Sequence, residues 1–447
     1  MSQYTKSIGS WLNKVIDCEC GQRHDIALNQ VVIEAGAQNK IAAYLKERGF
    51  RHAAVVGDGA TLEIAGRRLA ENLQKAGIGA AVIRIDENED GEVIANEQAI
   101  VQLLCDLPPE TEILVANGSG TIHDIVRFVS HRTNRPFISV PTAPSVDGFV
   151  SSGAPLILRG FKRTIPASSP EAVFADLDIL QTAPRKLIAA GFGDLLGKYT
   201  SLADWQLGRI LLDEHYCPLA AKITAQGLEL CVNHVEEIAK ATPHGMGLLM
   251  EGLILSGISM LMMGHSRPAS GSEHHLSHFW EMRWILERRK AELHGAKVGV
   301  ACILMARLYR KLRDLPVADA AEQLRRYEPP KQEEEMERIR EAFGPIWQEV
   351  AKENFPAKSS GPVASSPLDA EMVIGRWDQI VEVARSVPEP EELASWLKRV
   401  GGAVSPEELG VSSELVNQSL SAAFYVRNRY TILRLARPFG WNSEISI

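Results

Sequence analysis

Residues 51–57 are Arg-His-Ala-Ala-Val-Val-Gly, a short β-branched apolar run that ends at a glycine. A stretch with helical periodicity follows at 61–75, and a second apolar run follows at 80–85. Further strand-like runs occupy 112–116 and 137–140. Short buried strands that alternate with amphipathic helices are typical of a parallel β-sheet covered by helices. The sequence therefore predicts an α/β fold in this part of the chain.

The strand pattern fades after residue 184, and the rest of the chain has the periodicity of successive helices. We therefore expect two domains, an α/β domain over residues 1–185 and an all-helical domain over residues 186–447. In open parallel sheets, ligands bind outside the carboxyl ends of the strands. The loops that follow the predicted strands are thus the first places to look for a binding site.

Composition narrows the class of protein. The chain has 447 residues, of which 45% are hydrophobic, with 48 Lys plus Arg against 56 Asp plus Glu, which gives a net charge of −8. This acidic balance, without a dense Lys/Arg block, argues against binding to nucleic acid. Six scattered cysteines and the lack of an apolar run at the N-terminus favour a cytoplasmic protein. Small-molecule ligands are the expected partners.

Three segments have unusual composition: one is apolar, one is densely charged and one is rich in turn residues. Residues 246–264 are mostly apolar and approach membrane-spanning length, but Glu251 and the absence of flanking positive charges favour a buried core helix over a membrane span. Residues 331–341 predict a charged, solvated helix, and residues 356–367 a turn-rich connector.

Two polar loops follow predicted strands. Residues 117–124, Asn-Gly-Ser-Gly-Thr-Ile-His-Asp, could let a pyrophosphate approach the backbone at a helix N-terminus, although an ordinary strand-to-helix turn remains an alternative. The loop matches neither the GxGxxG fingerprint nor a Walker loop. Residues 141–153 begin Pro-Thr-Ala-Pro-Ser-Val-Asp-Gly, either a stiff binding edge or a capped turn.

Clustered histidines are the strongest local signal. On a helix, His274 and His278 would share one face, and His294 lies further along the chain. Asp194 is either a helix N-cap or a metal ligand, and Lys198 would share its helical face. One carboxylate and two imidazoles with an open position make up a catalytic divalent-metal site.

Another segment, residues 18–24, is Cys-Glu-Cys-Gly-Gln-Arg-His. Its residue types suit a metal, but the spacing matches no standard zinc site and the sequence indicates no fourth ligand. We expect a short hairpin.

Taken in order, five motifs resemble those of the sn-glycerol-1-phosphate dehydrogenase family, and most closely its bacterial, arabinose-operon-associated branch. They are Gly-Ser-Gly-Thr at 118–121, Pro-Thr-Ala-Pro-Ser-Val-Asp-Gly at 141–148, Gly-Phe-Gly-Asp at 191–194, Gly-Ser-Glu-His-His-Leu-Ser-His at 271–278 and Leu-His-Gly-Ala-Lys-Val-Gly at 293–299. The wider superfamily includes iron-containing alcohol dehydrogenases and dehydroquinate synthases. The resemblance implies its dehydroquinate synthase-like fold, with a Rossmann-like N-terminal domain and a helical C-terminal domain.

The resemblance also implies roles for individual residues. Asp194, His274 and His294 would bind a divalent metal, nickel or zinc, while His278, Asp147 and Asp194 would contact substrate. His275, between the two motif histidines, leaves open which imidazole is the ligand. Asp58 would lie by the adenosine ribose, which favours NAD(H) over NADP(H). The dinucleotide would be held by Gly118, Ser119, Gly120, Thr121, Ile122, Thr142, Ala143, Pro144, Ser145 and Ser151.

The reaction implied is the reversible, metal-dependent reduction of dihydroxyacetone phosphate to sn-glycerol 1-phosphate by NAD(P)H. Its catalytic residues would be Asp194, His274, His278 and His294, with Lys198, Lys162 and Arg163 as candidate phosphate ligands. A homodimer or larger homo-oligomer and a role in phospholipid biosynthesis are expected. Two alternatives stay open, namely a glycerol or other polyol dehydrogenase and a non-catalytic sensor of dinucleotides or sugar phosphates. The intact set of Asp and His residues argues against the sensor.

Overall fold

The structure, a computed structural model, describes residues 3–159, 161–356 and 368–443. All but the first residue of the predicted connector at 356–367 lie outside the described residues. The chain divides into two compact units. The first comprises Met1–Leu195, Lys222–Ser266 and Arg399–Gly401, and the second comprises Leu196–Ala221, Arg267–Lys398 and Gly402–Ile447.

Ten strands occur among the described residues, and all lie in the first unit. They are β1 (Lys14–Asp17), β2 (Arg23–Ile26), β3 (Gln30–Glu34), β4 (His52–Gly57), β5 (Gly79–Arg84), β6 (Ile113–Gly118), β7 (Phe137–Pro141), β8 (Gly153–Leu158), β9 (Phe161–Pro166) and β10 (Ala172–Asp176). Six of them form one parallel sheet in the order β3-β10-β7-β6-β4-β5. The other four form two antiparallel hairpins, β1-β2 and β8-β9.

Twenty-two α-helices occur among the described residues of the two units. In chain order they are α1 (Lys6–Gly9), α2 (Ile41–Glu47), α3 (Gly59–Thr61), α4 (Arg67–Lys75), α5 (Glu97–Asp106), α6 (Gly120–Thr133), α7 (Leu177–Leu180), α8 (Arg185–Leu196), α9 (Lys198–Leu212), α10 (Pro218–Val232), α11 (Val235–Ala239), α12 (Pro243–Met263), α13 (Ser272–Leu286), α14 (His294–Asp314), α15 (Val317–Arg326), α16 (Gln332–Phe343), α17 (Trp347–Asn354), α18 (Ala370–Gly375), α19 (Trp377–Arg385), α20 (Pro390–Arg399), α21 (Ser413–Ala422) and α22 (Ile432–Leu435).

The predicted fold class is confirmed. Four strands, β4 to β7, lie where the apolar runs predicted them, and the helix expected at 61–75 is α3 and α4 joined by a π-helical turn. Because successive strand residues point to opposite faces, Val55 and Val56 enter separate apolar clusters on the two sides of the sheet. Both side chains are fully buried. Burial of such a side chain stabilises the folded state by about 1.5–3 kcal/mol relative to leaving it exposed.

Helix α12 contains the apolar stretch that approached membrane-spanning length. Thr242 caps its first turn, Pro243 occupies the first helical position, and Gly264 ends it with a φ of 67°. It is the one helix among the described residues that is long and apolar enough to cross a membrane, yet 94% of its most apolar window is buried. It packs against β2, β3 and α11 within the first unit, so the expectation of a buried core helix is confirmed.

Two smaller expectations are also confirmed. Residues 18–22 connect β1 to β2 in an antiparallel hairpin. The charged stretch at 331–341 lies mainly in α16, whose charged side chains are exposed apart from Glu335, which pairs with Arg437 at 2.6 Å.

The two compact units differ from the predicted single division at residue 185. Residues 186–195 and the segment that carries α11 and α12 group with the sheet, while the predicted helical domain included both. The reason is packing, because α12 is apolar on all sides and buries its surface against elements of the first unit. The separate dinucleotide-binding and metal-binding roles of the two predicted domains remain a prediction.

Candidate active site

The loop after β6 lies at the carboxyl edge of the sheet. Gly118 ends β6, Ser119 is the N-cap residue, and Gly120 begins α6. A Cβ atom on Gly118 would lie 2.8 Å from Cβ of Ile122, so only glycine lets strand and helix join this closely. The first N–H groups of a helix have no partner within the helix and favour anions. The turn can therefore receive a pyrophosphate.

The loop after β7 is tied to the first loop. The Thr142 N–H donates to the Gly118 carbonyl at 3.0 Å, and Ser145 N–H donates to the carbonyl of Ala143 at 3.0 Å. Helix α8 packs directly on this loop, because a Cβ atom on Gly191 would lie 1.8 Å from the Pro144 carbonyl oxygen. The position of the predicted dinucleotide loop thus depends on Gly191.

A backbone hydrogen bond links two of the predicted site residues, Asp147 and Asp194, within the first unit. The Asp147 backbone N–H donates to Oδ2 of Asp194 at 3.0 Å, and Ser256 Oγ in α12 donates to Oδ2 of Asp147 at 2.8 Å. Asp147 is 8% exposed and Asp194 is fully buried. Asp194 lies in the last turn of α8 and is not an N-cap, so the capping alternative is wrong.

Asp58 and Ser151 have local structural roles. Asp58 caps α3 by accepting the Thr61 N–H at 2.7 Å, while Thr61 Oγ1 accepts the Asp58 N–H at 3.0 Å. Ser151 Oγ accepts the N–H of Gly153 at 3.0 Å. Contact of either side chain with a dinucleotide remains a prediction.

Three imidazoles lie together in the second unit. The ring centroids of His274 and His278, one turn apart on α13, are 6.0 Å apart. His294, the first residue of α14, lies with its ring centroid 5.1 Å from His274 and 5.5 Å from His278. All three histidines of the sequence prediction therefore meet at one place.

Glu273 orients the first of these imidazoles. Its Oε1 atom accepts from Nδ1 of His274 at 2.7 Å, and its Oε2 atom accepts from Oγ1 of Thr200 at 2.6 Å. Burial by itself raises the pKa of Glu273, but hydrogen bonds from His274, Thr200 and the Gly271 N–H outweigh it and hold the pKa below its usual value. With its proton on Nδ1, His274 presents the Nε2 lone pair for a metal. Sequence reasoning missed Glu273, although the motif places it next to His274.

His275 faces a different environment. It is fully buried, and neither ring nitrogen has a hydrogen-bond partner among the described residues. Burial lowers the pKa of His275 well below its usual value, and the positive charges of Arg429, Arg427 and Arg434 lower it further. His275 is not among the three grouped rings, and which imidazole binds the metal remains a prediction.

A buried ion pair adjoins His278. Lys297 Nζ lies 3.0 Å from Oε2 of Glu281, and that oxygen lies 3.9 Å from Nδ1 of His278. Ligand atoms of His278, Glu281 and His294 all lie within 4.8 Å of one another. Sequence reasoning assigned neither Lys297 nor Glu281. Their helical spacing, three residues after His294 and His278 respectively, was the signal that could have found them.

Asp204 supports the start of α13. Its carboxyl group accepts from the Ser272 N–H at 2.6 Å, the Tyr309 hydroxyl at 2.6 Å and the Ile432 N–H at 2.7 Å. Burial, followed by the negative charge of Glu273, raises the pKa of Asp204 to about 7. One of two neighbouring buried carboxyl groups is therefore charged while the other retains a proton into the neutral range.

The candidate phosphate ligands belong to different units. Lys198 is fully buried and its Nζ donates to the Ala269 carbonyl at 3.0 Å. Lys162 and Arg163 lie on β9 in the first unit. Because α8 ends at Leu196 and α9 begins at Lys198, Asp194 and Lys198 belong to consecutive helices, and the expected single helix face is wrong.

Comparison with known proteins identifies the fold that the parallel sheet and the helices form. Residues 32–184 match the model of the iron-containing alcohol dehydrogenase family. Glycerol dehydrogenase from Schizosaccharomyces pombe has a similar fold, with a TM-score of 0.61 over 93% of this chain and 89% of that chain, at 15% identity. The fold is thus that of the iron-containing alcohol dehydrogenases.

Relatives with higher sequence identity show to which family of enzymes the chain belongs. The glycerol-1-phosphate dehydrogenase [NAD(P)+] of Geobacillus stearothermophilus is 41% identical over 93% of this chain and 94% of its own length. That of Geobacillus thermodenitrificans (strain NG80-2) is 42% identical, again over 93% of this chain and 94% of its own length. This chain belongs to the glycerol-1-phosphate dehydrogenase family, as the five sequence motifs predicted.

Proposed function

We propose that this chain catalyses the reversible, metal-dependent reduction of dihydroxyacetone phosphate to sn-glycerol 1-phosphate with NAD(P)H. The observation that carries the proposal is the group of three imidazoles, His274, His278 and His294, with His274 held by Glu273, in a member of this enzyme family. Three neighbouring histidines with a carboxylate behind one of them are arranged for metal chemistry.

Asp194, His274 and His294 are the proposed metal ligands. One carboxylate oxygen and two imidazole nitrogens form a donor set that suits a borderline divalent ion, and nickel and zinc are the candidates. When bound, such an ion acts as a Lewis acid that polarises the substrate carbonyl and stabilises the developing alkoxide. The Glu273 hydrogen bond fixes both the tautomer and the ring orientation of His274.

His278 is proposed to contact substrate and to hold the proton that the product oxygen receives. The buried pair of Lys297 and Glu281, at 3.0 Å, fixes the carboxylate 3.9 Å from Nδ1 of His278 and so limits where that imidazole can turn. Asp147 is the second proposed substrate contact. Its carboxylate is already oriented by Ser256, and an oriented group loses little entropy when substrate binds.

The two tied loops are proposed to hold the dinucleotide. Gly118 to Ile122 would receive the pyrophosphate at the start of α6, with Thr142 to Ser145 and Ser151 beside it. Asp58, at the end of β4, would accept from the adenosine ribose. A carboxylate there repels a 2′-phosphate and favours NAD(H) over NADP(H).

Lys198, Lys162 and Arg163 remain the proposed ligands of the substrate phosphate. Lys198 is the strongest of these candidates because its buried ammonium group has fewer competing water molecules. We further propose a cytoplasmic homodimer or larger homo-oligomer whose product serves as a precursor in phospholipid biosynthesis.

The stereochemistry of the product tests the proposed reaction. Dihydroxyacetone phosphate would be reduced to completion, the nucleotide removed, and the product offered with NAD⁺ to a dehydrogenase specific for sn-glycerol 3-phosphate. We expect no NADH to form, because the product is the opposite enantiomer. Oxidation of the product by that enzyme would overturn the proposal.

A further inference from the structure

The hairpin turn between β1 and β2 brings together three side chains that the proposed reaction does not use. Cys18 N–H donates to the carbonyl of Gln22 at 3.0 Å, and Gly21 N–H donates to the carbonyl of Cys18 at 2.9 Å. Gly21 has a φ of 83°, a conformation that glycine adopts at little cost. This closed turn places Cys18 and Cys20 near His24, the second residue of β2.

The donor atoms of the three residues have the separations of ligands around one ion. Cys20 Sγ lies 3.3 Å from Nε2 of His24, and one ligand atom from each of Cys18, Cys20 and His24 lies within 4.8 Å of the others. With zinc–sulfur and zinc–nitrogen bonds of about 2.3 and 2.0 Å, neighbouring donors in a tetrahedron are about 3.5 Å apart. The observed sulfur-to-nitrogen distance fits that geometry.

His24 is already oriented for such a role. It is 1% exposed, and its Nδ1 lies 2.9 Å from the backbone carbonyl of Met262, near the end of α12. A carbonyl can only accept, so Nδ1 carries the proton and Nε2 presents its lone pair on the side of Cys20. Histidines that ligate metals characteristically donate their second nitrogen in this way.

We propose that Cys18, Cys20 and His24 bind a structural Zn²⁺ ion, in addition to the metal of the proposed reaction. Two thiolates and one imidazole are donors that zinc prefers, and they occupy three of the four positions of its tetrahedron. The ion connects the turn to the strand that packs on α12, and so stabilises a hairpin that two short strands alone would hold only marginally. The inference is independent of the proposed function.

Differential alkylation of the full chain tests the site. Protein stripped of metal under reducing conditions would be divided, one half supplied with Zn²⁺, and both halves treated with iodoacetamide before peptide mass spectrometry. We expect Zn²⁺ to slow modification of Cys18 and Cys20 by about tenfold or more, because the metal-bound thiolate is a poorer nucleophile. The exposed Cys105 serves as the internal control and should react equally in both halves.

Zinc content gives a second readout. Compared with the unsubstituted chain, Cys18→Ser, Cys20→Ser and His24→Gln should each bind about one zinc ion fewer per chain, whereas Cys105→Ser and His131→Gln should retain the full content. Equal rates of alkylation of Cys18 and Cys20 with and without Zn²⁺ would refute the site. That result is obtained with the unsubstituted chain and does not depend on whether a variant folds. Equal zinc content in all five variants would refute it as well.

Discussion

At the scale of the residue, the site depends on hydrogen bonds that orient imidazoles. Glu273 is fully buried and accepts from His274, Thr200 and the Gly271 N–H. A buried carboxylate is costly unless several donors satisfy it. A carboxylate buried at this position is explained if it must fix the tautomer of His274, as a proposed metal ligand requires.

Replacement of Glu273 by Gln should weaken metal binding. The amide keeps the size of the side chain but loses the charge that holds the His274 proton on Nδ1. We expect metal affinity to fall by about 10–100-fold, with turnover restored when excess metal is added. Titration of stripped protein with Ni²⁺ or Zn²⁺ measures the change.

The exposed Glu287, just after α13, provides the control substitution Glu287→Gln. It should leave metal affinity unchanged. Unaltered affinity in Glu273→Gln would mean that the hydrogen bond is structural only.

Asp204 predicts a pH dependence of stability. Its pKa in the folded protein, about 7, exceeds the value of about 3.9 for an unfolded aspartate, so the folded state binds the proton more tightly. The stability that this proton contributes is lost as pH rises from about 4 through 7, and levels off once the carboxyl group is fully ionised in the folded protein. Relative to Asp204→Asn, the unsubstituted chain should lose up to about 1.4 kcal/mol per pH unit between pH 5.5 and 7. Urea unfolding at several pH values measures this difference, and a difference that does not change with pH would contradict the assignment.

Lys198 can be tested through substrate preference. If its ammonium group binds the phosphate, Lys198→Ala should raise KM for dihydroxyacetone phosphate far more than for dihydroxyacetone. Steady-state kinetics with both substrates separates this role from a purely structural one. A purely structural role for the bond to the Ala269 carbonyl would instead change both KM values equally, and that result would remove Lys198 from the phosphate site.

At the scale of the element, helix α8 positions the loop after β7. Gly191 lets the helix backbone touch Pro144, and the same helix carries Asp194 in its last turn. The Asp147 N–H then joins the loop to Asp194 at 3.0 Å. The loop that we propose holds the dinucleotide and the proposed metal ligand Asp194 are thus connected through one helix.

Substitution of Gly191 by Ala should disturb that coupling. The added Cβ would lie 1.8 Å from a backbone oxygen, which cannot rotate away as a side chain can. We expect a loss of stability of about 1–3 kcal/mol and weaker NADH binding, measured by thermal unfolding and fluorescence titration. Gly375, exposed in α18 with no atom within 4 Å of an added Cβ, gives the matched control Gly375→Ala, which should be neutral or slightly stabilising. Normal NADH binding by Gly191→Ala would refute this role of α8.

The elements differed in how well the sequence predicted them. Strands β4 to β7 were predicted because each is a β-branched apolar run bounded by turn residues. Strands β3 and β10 were missed; in β3 the polar residues Gln30 and Glu34 leave an apolar run of only three residues, and β10 ends at Asp176. At the site, the motif spacing predicted the histidines. It could not predict which ring faces the arginines, because that depends on how separate segments pack. Glu273, which accepts from His274, was missed although it precedes His274 in the motif.

At the scale of the whole molecule, the two units carry different parts of the proposed site. The first unit has the parallel sheet, the tied loops after β6 and β7, and Asp194. The second unit has His274, His278 and His294. The proposed reaction requires both units, since hydride transfer needs a bound dinucleotide and the carbonyl needs an electrophile.

The most direct test of this account is NADH oxidation by chelator-stripped protein that is resupplied in turn with nickel, zinc or iron. Each reaction would be offered dihydroxyacetone phosphate and, separately, dihydroxyacetone. We predict turnover that depends on the added metal and strongly favours the phosphorylated substrate. A preference for dihydroxyacetone would instead indicate a polyol dehydrogenase, and NADH binding without turnover under any metal would indicate a sensor; either result would contradict the account.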